Sequence, residues 1–352
     1  MAPAISVVVP VYNGGAAFQR CLAALAGSRD IAWELVVVDD GSTDDSAETA
    51  QLTGARVLTT DRARSGPGPA RNLGARVARA PILCFIDADV LARSDTLANF
   101  AALFAADPGL TAAFGSYDPQ PAHPGLLSQY RNLLHHFVHQ TGQEEASTFW
   151  SGCGAIRRQA FLDLNGFDAA YTRPSIEDIE LGYRVLAAGG RIRLAKHIQV
   201  KHLKHWTFWN ILQTDIRDRA LPWTQLIVRT GQLPNDLNLQ TASRVSAVCV
   251  YGLLVSAGLS IWQPLALLAT IPLVALLLVC NQHLYSFLLG QRGFRFLLCV
   301  LPMHWLYYGY SALVFSAGMA FEKVRARRRA ATAPVLVRSN GGVASSDVEL
   351  AL

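Results

Sequence analysis

Charged residues are scarce in the second half of this chain. They make up 16% of the whole sequence, and residues 245–291 contain no Asp, Glu, Lys or Arg. At a rise of about 1.5 Å per residue, a helix of that length is much longer than a hydrocarbon core of about 30 Å, so the stretch must fold back on itself. The Gln263-Pro264 pair is the natural turn, which predicts membrane spans over residues 245–262 and 264–280.

A second uncharged run covers residues 296–321 and predicts a third apolar segment. It is rich in aromatic residues of the kind found at membrane interfaces, namely Trp305, Tyr307, Tyr308 and Tyr310. Three spans after a cytosolic domain would place the basic run 325–329 outside, against the positive-inside rule. Either the run bends back at Pro302 or the chain is an exception. We favour three segments and leave the side of the tail open.

The six cysteines show neither close pairing nor the spacing of a zinc site, which excludes a disulfide framework and is typical of the reduced cytosol. The apolar N-terminal run is too short for a signal peptide and lacks a basic start, so we expect the first domain to stay in the cytosol. The net charge of +5 comes from dispersed arginines without a nucleic-acid motif. This pattern favours an anionic inner leaflet and no nucleic-acid partner.

Short apolar strands alternate with helical sequence through residues 5–86. Strands are predicted over residues 5–9, 34–38, 56–59 and 82–86, and helices up to about residue 26 and over residues 44–51 and 69–79. Strands that are apolar throughout indicate an α/β fold whose mostly parallel central sheet is covered on both faces. Such sheets bind ligands beyond the carboxyl ends of their strands, where four acids fall: Asp39, Asp40, Asp87 and Asp89.

Asp87 and Asp89 stand two positions apart at the end of a strand. Side chains at that spacing in an extended segment project to the same side, so both carboxylates can reach one ligand. Hard oxygen donors suit Mg²⁺ or Mn²⁺, and phosphate oxygens commonly complete the coordination shell. The alternative is that both acids cap a helix beginning near Ser94. The presence of four acids at one edge of the sheet favours the metal site.

Other segments belong to the same series. They are Val7-Val8-Val9-Pro10-Val11-Tyr12-Asn13, Val38-Asp39-Asp40-Gly41-Ser42-Thr43-Asp44, Arg71-Asn72-Leu73-Gly74, Ser151-Gly152-Cys153-Gly154 with Gly166-Phe167-Asp168, and residues 176–184. Together with Asp87-Ala88-Asp89, this series resembles the family 2 glycosyltransferases over residues 5–202. The resemblance implies the GT-A fold and a cytosolic, metal-dependent, inverting transfer of a sugar from a nucleotide donor.

The resemblance assigns the nucleotide to the first two strand ends. Asp39 and Asp40 would bind the base and ribose, and Pro10 and Tyr12 would form the wall against which the base stacks. Arg71, at the start of a helix, is placed as a nucleotide or phosphate contact. From the residues alone, Asp40 could equally close an Asx-turn, and Arg71 could be a surface arginine.

The resemblance also assigns the metal. Asp89 would bind the Mg²⁺ or Mn²⁺ that bridges the diphosphate, and Asp87 would hold the ribose or a metal-bound water. His202 stands where some GT-A enzymes place a histidine near the metal. Its surroundings, residues 201–206, are also typical of a basic interfacial patch, so both roles stay open.

Inverting transfer needs a base that takes the proton of the acceptor hydroxyl on the face opposite the leaving diphosphate. In the Glu177-Asp178 pair, the resemblance selects Asp178 as this base and leaves Glu177 to hold a neighbouring group or the acceptor. Two acids at a helix start would also result from simple compensation of the helix dipole. The predicted acceptor side further includes Gly152, Cys153 and Gly154, where Cys153 either touches substrate or fills a small space.

We predict four parts along the chain. They are a GT-A catalytic domain at residues 1–204, interfacial amphipathic helices at 205–243, a transmembrane region at 244–322, and a basic, disordered tail at 323–352. A buried core helix explains the apolar stripe of residues 206–228 almost as well. Within the first part, the cluster of His135, His136 and His139 is predicted to be structural and not metal-binding, because no acids stand nearby in the sequence.

These features predict a multi-pass enzyme of the inner or plasma membrane that uses a UDP- or GDP-sugar and a lipid-linked or saccharide acceptor. Gln213, Arg217 and Trp223 are similar to the Gln-x-x-Arg-Trp motif of processive synthases, but Asp218 follows Arg217, so a single transfer is favoured. The alternatives are a processive polysaccharide synthase and a catalytically silent scaffold. A nucleotidyltransferase would need a lysine within residues 11–15, and a transporter would need charges inside its apolar segments. The sequence has neither feature.

Overall fold

The structure is a computed structural model that describes residues 2–231 and 241–332, with side chains up to residue 325. Residues 232–240 of the predicted interfacial region lie outside the described residues. Of the tail predicted to be disordered, residues 323–352, the first ten residues, 323–332, are helical and not disordered, and residues 333–352 lie outside the described residues.

The apolar runs of the first part form one mixed sheet, which has eight strands in the described part of the chain. The strands are β1 (Ile5–Val11), β2 (Trp33–Asp39), β3 (Arg56–Thr59), β4 (Ile82–Ile86), β5 (Val90–Leu91), β6 (Ala112–Tyr117), β7 (Cys153–Arg157) and β8 (Ile192–His202), in the order β3-β2-β1-β4-β7-β6-β8-β5. β1 pairs in parallel with β2 and β4, β2 with β3, and β6 with β8, whereas β7 runs antiparallel to both neighbours. The predicted α/β fold with a mostly parallel sheet is therefore confirmed.

Helices cover both faces of this sheet. They are α1 (Gly15–Ala26), α2 (Ser46–Leu52), α3 (Pro67–Val77), α4 (Thr96–Ala106), α5 (Leu126–Thr141), α6 (Arg158–Asp163) and α7 (Glu177–Ala187). Alternate residues of β1 enter two separate cores, with Val7 packed among side chains on the α1 face and Val8 on the α3 face. A Cβ added at Gly74 of α3 would lie 2.5 Å from Val8 Cγ1, so a glycine lets this helix approach the sheet closely.

The remaining described residues are almost entirely helical. α8 (Phe208–Gln213), a π-helical segment (Thr214–Ala220) and α9 (Leu221–Thr230) are followed by α10 (Thr241–Leu259), a 3₁₀ helix (Pro264–Ala269), α11 (Thr270–Cys280) and α12 (Gln282–Thr332). Among the described residues, two helical stretches are long and apolar enough to cross a membrane, Thr241–Leu259 and Gln282–Arg325. The apolar stretch Pro264–Cys280 is shorter.

The breaks between these helices differ in part from the prediction. The turn expected at Gln263-Pro264 is confirmed, because α10 ends at Leu259 and the next helix begins at Pro264. The bend considered at Pro302 is wrong, since α12 continues through that proline. α12 is instead interrupted at Gly293, whose φ of 80° lies in the left-handed region that glycine tolerates.

The helical part is fixed to the catalytic part through α5. Tyr130 and Leu133 of α5 pack against Leu288 at the start of α12, and Arg292 Nε donates to Gln129 Oε1 at 2.8 Å. The buried Asp215 of the π-helical segment is bound by Arg131 of α5 and by Tyr310 of α12. The apolar helices are thereby held beside the carboxyl ends of the parallel strands.

Candidate active site

A cavity of about 1350 Å³ opens beyond the carboxyl ends of β1 and β4. One end is lined by Pro10 and Tyr12 after β1, by Asp40 after β2, and by Asp87 and Asp89 after β4. The other end is lined by the helices α10 and α12. The cavity therefore joins the acidic edge of the sheet to the apolar helices.

The predicted nucleotide residues lie at the first end. Asp40 accepts hydrogen bonds from the backbone N–H groups of Ser65 and Gly66, at 2.9 and 2.8 Å, and so fixes the loop that leads into α3. Asp39 accepts from Ser42 N at 3.0 Å, so the turn closure considered for Asp40 belongs to Asp39. Asp39 is not among the described residues that line the cavity.

Arg71 is buried and not a surface residue, so that alternative is wrong. Its Nη2 lies 2.6 Å from Asp87 Oδ1 and its Nη1 lies 3.0 Å from Glu177 Oε1. One guanidinium thus ties the end of β4 to the start of α7, and it is only 3% exposed. Arg71 fixes the positions of two predicted site acids at the wall of the cavity.

Asp89 faces His202 across the cavity wall, with 3.3 Å between Oδ2 and Nε2. His202 Nδ1 lies 2.8 Å from Asn132 Oδ1, and because an amide oxygen only accepts, Nδ1 carries a proton. When the imidazole is neutral, its Nε2 and the Asp89 carboxylate are both hydrogen-bond acceptors and face each other. A cation or a further proton must then lie between them. His202 also stacks on Tyr117, 4.4 Å between ring centroids, and is 6% exposed, so it does not belong to an interfacial patch.

The donor set at this point fits a divalent metal. A carboxylate oxygen and an imidazole nitrogen oriented by a hydrogen bond at its other nitrogen are ordinary ligands for Mn²⁺ or Mg²⁺. No group of three or more His, Cys, Asp or Glu side chains suited to a metal ion occurs within the described chain. A metal held by Asp89 and His202 would therefore complete its shell with water and with the oxygens of a substrate.

The two acids do not cap a helix. β4 ends at Ile86, and α4 begins only at Thr96, with Asp95 before it. The alternative considered for Asp87 and Asp89 is therefore wrong. Asp87 is paired with Arg71, and Asp89 is paired with His202.

Asp178 lies at the start of α7 beside the same cavity. Its Oδ2 accepts from the backbone N–H of Ser151 at 3.1 Å and from the Ser151 hydroxyl at 3.3 Å, while Oδ1 accepts from Ile179 N at 2.8 Å. Burial raises the pKa of Asp178 above the usual aspartate range, although these hydrogen bonds oppose the shift. Burial and the adjacent Asp178 likewise raise the pKa of Glu177.

The acceptor-side segment positions Ser151 through its glycines. A Cβ at Gly152 would lie 2.6 Å from the Trp150 ring, and a Cβ at Gly154 would lie 2.3 Å from Trp150 O, so both positions need glycine. Gly152 lines the cavity, whereas Cys153 lies in the core beneath the sheet. Burial raises the pKa of the Cys153 thiol well above its usual range, which leaves it inert.

Two of the three clustered histidines make structural hydrogen bonds. His136 Nδ1 lies 2.6 Å from Tyr117 O and His139 Nδ1 lies 3.1 Å from Gly115 O. His135 packs against Tyr117, His139 and Trp150, and it lines the cavity. This ring layer forms the cavity wall next to Asp89 and His202.

Sequence reasoning missed several residues of the site. Asn132, Ser151 and Tyr117 orient His202 or Asp178, and each is brought there by a strand or helix distant in sequence. Of the three residues similar to the processive motif, Trp223 lines the cavity, whereas Gln213 and Arg217 are exposed.

Comparison with known proteins agrees with this geometry. Residues 6–164 match the family model "Glycosyl transferase family 2", and residues 131–206 match "N-terminal domain of galactosyltransferase". The validoxylamine A glucosyltransferase of Streptomyces hygroscopicus subsp. jinggangensis is 30% identical over 228 residues, which cover 53% of this chain and 52% of that relative. The O-antigen chain rhamnosyltransferase RfbN of Salmonella typhimurium is 26% identical, over 63% of this chain and 74% of its own.

The match to the first of these relatives spans about half of its length. A solved structure, the mannosyltransferase PcManGT from Pyrobaculum calidifontis in complex with GDP-Man and Mn²⁺, aligns with a TM-score of 0.56 at 18% identity, covering 92% of this chain and 88% of its own. That likeness concerns the fold. Residues 6–164, which carry the strands β1 to β4 with their acidic ends, therefore match a family 2 glycosyltransferase domain, and the fold is GT-A-like.

Proposed function

We propose that this protein is a membrane-bound, inverting glycosyltransferase that moves a sugar from a UDP- or GDP-sugar to a lipid-linked or membrane-associated acceptor. The observation that carries the proposal is the single cavity that joins Asp87, Asp89 and Asp178 to α10 and α12. A water-soluble donor can enter at the acidic end, and an acceptor embedded in a membrane can enter at the helical end. Asp178 lies along the same cavity wall.

The nucleotide occupies the end lined by Pro10, Tyr12 and Asp40. Tyr12 is partly exposed and has Arg64 over its ring at 4.8 Å, which leaves a flat surface for stacking a base. Asp40 holds the loop after β3 against the site and lines the cavity beside the position of the base. Asp39 supports the turn that follows β2.

The diphosphate lies between Asp87 and His202. A Mg²⁺ or Mn²⁺ bound to Asp89 and His202 would offset the charge that develops on the leaving diphosphate. Asp87, held by Arg71, stays fixed for the ribose or a metal-bound water. PcManGT, named as a complex with Mn²⁺, supports a divalent ion as a reasonable expectation for this fold.

Asp178 acts as the general base. Its carboxylate takes the proton of the acceptor hydroxyl as the hydroxyl oxygen attacks the anomeric carbon, and the nucleoside diphosphate leaves with the electron pair of the broken bond. The N–H groups of Ser151 and Ile179 hold both carboxylate oxygens in place. Glu177 is bound to Arg71 and to Ser175 N at 2.8 Å, so it supports the start of α7 and leaves the proton to Asp178.

Membrane association is supported by the outward faces of the C-terminal helices. α10, α11 and the turn between them expose large apolar side chains, among them Leu254, Ile261, Trp262, Leu265 and Ile271. Patches of this extent mark contact with a membrane or another protein. With two helices long and apolar enough to span, we assign a membrane of the cell envelope and a cytosolic catalytic domain.

A single transfer fits the site better than a processive one, because Gln213 and Arg217 point away from the cavity that a polymer would occupy. The names of the relatives refer to glucosyl, rhamnosyl and mannosyl transfer, so the family does not fix the sugar. Donor identity must therefore be measured.

The test is thermal stabilisation of the detergent-solubilised full chain by UDP-, GDP- and dTDP-sugars, each with and without Mn²⁺. Stabilisation by one nucleotide class only in the presence of metal is the expected result. Slow, metal-dependent release of the nucleoside diphosphate without acceptor then separates a live enzyme from a silent scaffold. No stabilisation by any donor would contradict the proposed function.

A further inference from the structure

The charged side chains that line the cavity differ in whether an opposite charge is bound to them. Asp215 is bound by Arg131 and Tyr310, and Asp218 lies 3.3 Å from Arg173. Three further cations that line the cavity are Lys204, Arg219 and Arg244. None of the three has an acidic partner within ion-pair distance among the described residues.

Arg219 is half-buried, whereas Arg244 is exposed. Arg219 lies on the π-helical segment four residues after the buried Asp215, whose contacts with α5 and α12 hold that segment in place. π-helical turns commonly occur at functional sites. Arg219 also lies near the rings of His135 and His139. Burial lowers the pKa of both histidines, and the positive charge of Arg219 lowers it further.

Arg219 is half-buried, so its guanidinium can exchange water for the oxygens of a ligand. Its planar donors match the oxygens of a phosphate, and Lys204 supplies a second charge from the end of β8. Lys204 is held over the Trp206 ring, with 4.2 Å from Nζ to the centroid. An anion placed between these two side chains would be bound by charge-assisted hydrogen bonds.

The wall beyond this pair suits a hydrocarbon chain. α10 contributes Ala247, Val248 and Tyr251 to the cavity, and α12 contributes Ser311, Ala312 and Phe315. On each helix the third of these residues stands four and three positions after the first two, so the three share one face. The two faces form a groove of mostly small and apolar side chains that leads away from the cations.

We propose that Arg219 and Lys204 bind the phosphate of a phosphorylated lipid acceptor whose hydrocarbon chain lies between α10 and α12. The inference rests on the proposed function and adds the chemical class of the acceptor. Lys204 also lies within electrostatic range of Asp89, so the donor diphosphate is the competing ligand, and nucleotide binding by Arg219→Ala distinguishes the two.

The probe pair is farnesyl phosphate and farnesol, which differ only in the phosphate. Binding to the full chain in detergent is followed by quenching of tryptophan fluorescence, since Trp206 and Trp223 line this part of the cavity. We expect farnesyl phosphate to bind about 10- to 100-fold more tightly than farnesol, as loss of a charge-assisted contact implies. Arg219→Ala should abolish that difference, and Arg219→Lys should keep part of it.

The matched control is Arg217→Ala, on the same π-helical segment but exposed to solvent. It should keep the full preference for farnesyl phosphate. Binding of the nucleoside diphosphate with Mn²⁺ should be unchanged in both alanine variants. Inorganic phosphate should compete only weakly, because it lacks the chain that fills the groove.

Three results would overturn the inference. They are equal binding of farnesol and farnesyl phosphate, inorganic phosphate binding as tightly as the lipid phosphate, and loss of nucleotide binding in Arg219→Ala, which would assign the arginine to the donor. If the wild-type protein binds no nucleotide at all, the proposed function itself fails. The nucleotide measurement thus separates the two failures.

Discussion

The two ends of the cavity differ in how their charged groups are satisfied. At the sheet edge, Arg71 binds Asp87 and Glu177, and Asp89 faces a histidine whose other nitrogen is fixed by Asn132. Lys204 and Arg219 also line the cavity, but neither forms a salt bridge within the described chain. The acids at the sheet edge are therefore held by other side chains, whereas these two cations are the proposed site for an anion.

This difference predicts which substitutions will change stability and which will change ligand binding. Side chains at the sheet edge are bound to one another, so removing one leaves a buried partner unsatisfied and affects both stability and chemistry. Arg219 forms no salt bridge in the described chain, so we expect its removal to affect binding more than stability. The following predictions test the sheet edge, from the largest expected effect to the smallest.

Asp178→Asn removes the proposed base and keeps the size of the side chain. We expect kcat to fall by about 10²- to 10⁴-fold, the range typical of general base catalysis. Binding of the nucleoside diphosphate with Mn²⁺ should stay within about twofold, since the substitution leaves the donor end intact. Steady-state kinetics and calorimetry on the same preparation measure both, and loss of nucleotide binding would contradict the assignment.

Arg71→Met removes the guanidinium between Asp87 and Glu177. The free energy of unfolding should fall by about 3–5 kcal/mol, because Glu177 is then buried without its counter-charge. Thermal denaturation of the full chain in detergent measures the change. Arg64→Met is the control, since Arg64 also lines the cavity but is exposed, and its effect should stay within about 0.5 kcal/mol. Equal effects would show that the buried pairing does not matter.

Asn132→Leu removes the acceptor for His202 Nδ1–H. Affinity for Mn²⁺ in the presence of nucleotide should fall by about 10- to 100-fold, as is usual when the hydrogen bond that orients a metal-binding histidine is lost. Asn132→Asp keeps an acceptor at the same place and should retain the affinity. Calorimetric titration with Mn²⁺ compares the two, and unchanged affinity in Asn132→Leu would remove His202 from the metal site.

The pH dependence of activity tests the environment of Asp178. Because its pKa is raised and the base must be ionised, activity should fall with decreasing pH at a value above about 3.9, where a free aspartate titrates. Ser151→Ala removes a hydroxyl that stabilises the ionised form, at 3.3 Å. The acid limb of kcat/KM should then move to higher pH by less than about one unit. A shift to lower pH would contradict this account.

Much of the fold followed from local pattern. The apolar runs at residues 5–9 and 82–86 became β1 and β4, because a strand that is apolar on both faces is stable in the interior of a covered sheet. The acids after β2 and β4 met at one edge of the sheet for the same reason. The family match over residues 6–164 agrees with the glycosyltransferase resemblance that these strand ends suggested.

Other features depended on distant partners. Arg71 was open to a surface role in the sequence, but Glu177, 106 positions later, buries it. Asn132 stands 70 positions before His202, and nothing in the spacing of either residue indicates the contact. Likewise, Pro302 suggested a bend, yet α12 continues through Pro302 and is interrupted at Gly293 instead.

The sequence by itself determined the order of strands and helices through residue 86, the acidic ends of β2 and β4, and the uncharged length of the C-terminal helices, because each depends on residues that are neighbours in the chain. Only the tertiary structure decided that Arg71 links two acids, that Asn132 orients His202, and that one cavity reaches from Asp89 to α12. Hydrogen bonds and ion pairs act over about 3 Å, and the folded chain brings those atoms together across tens of residues of sequence.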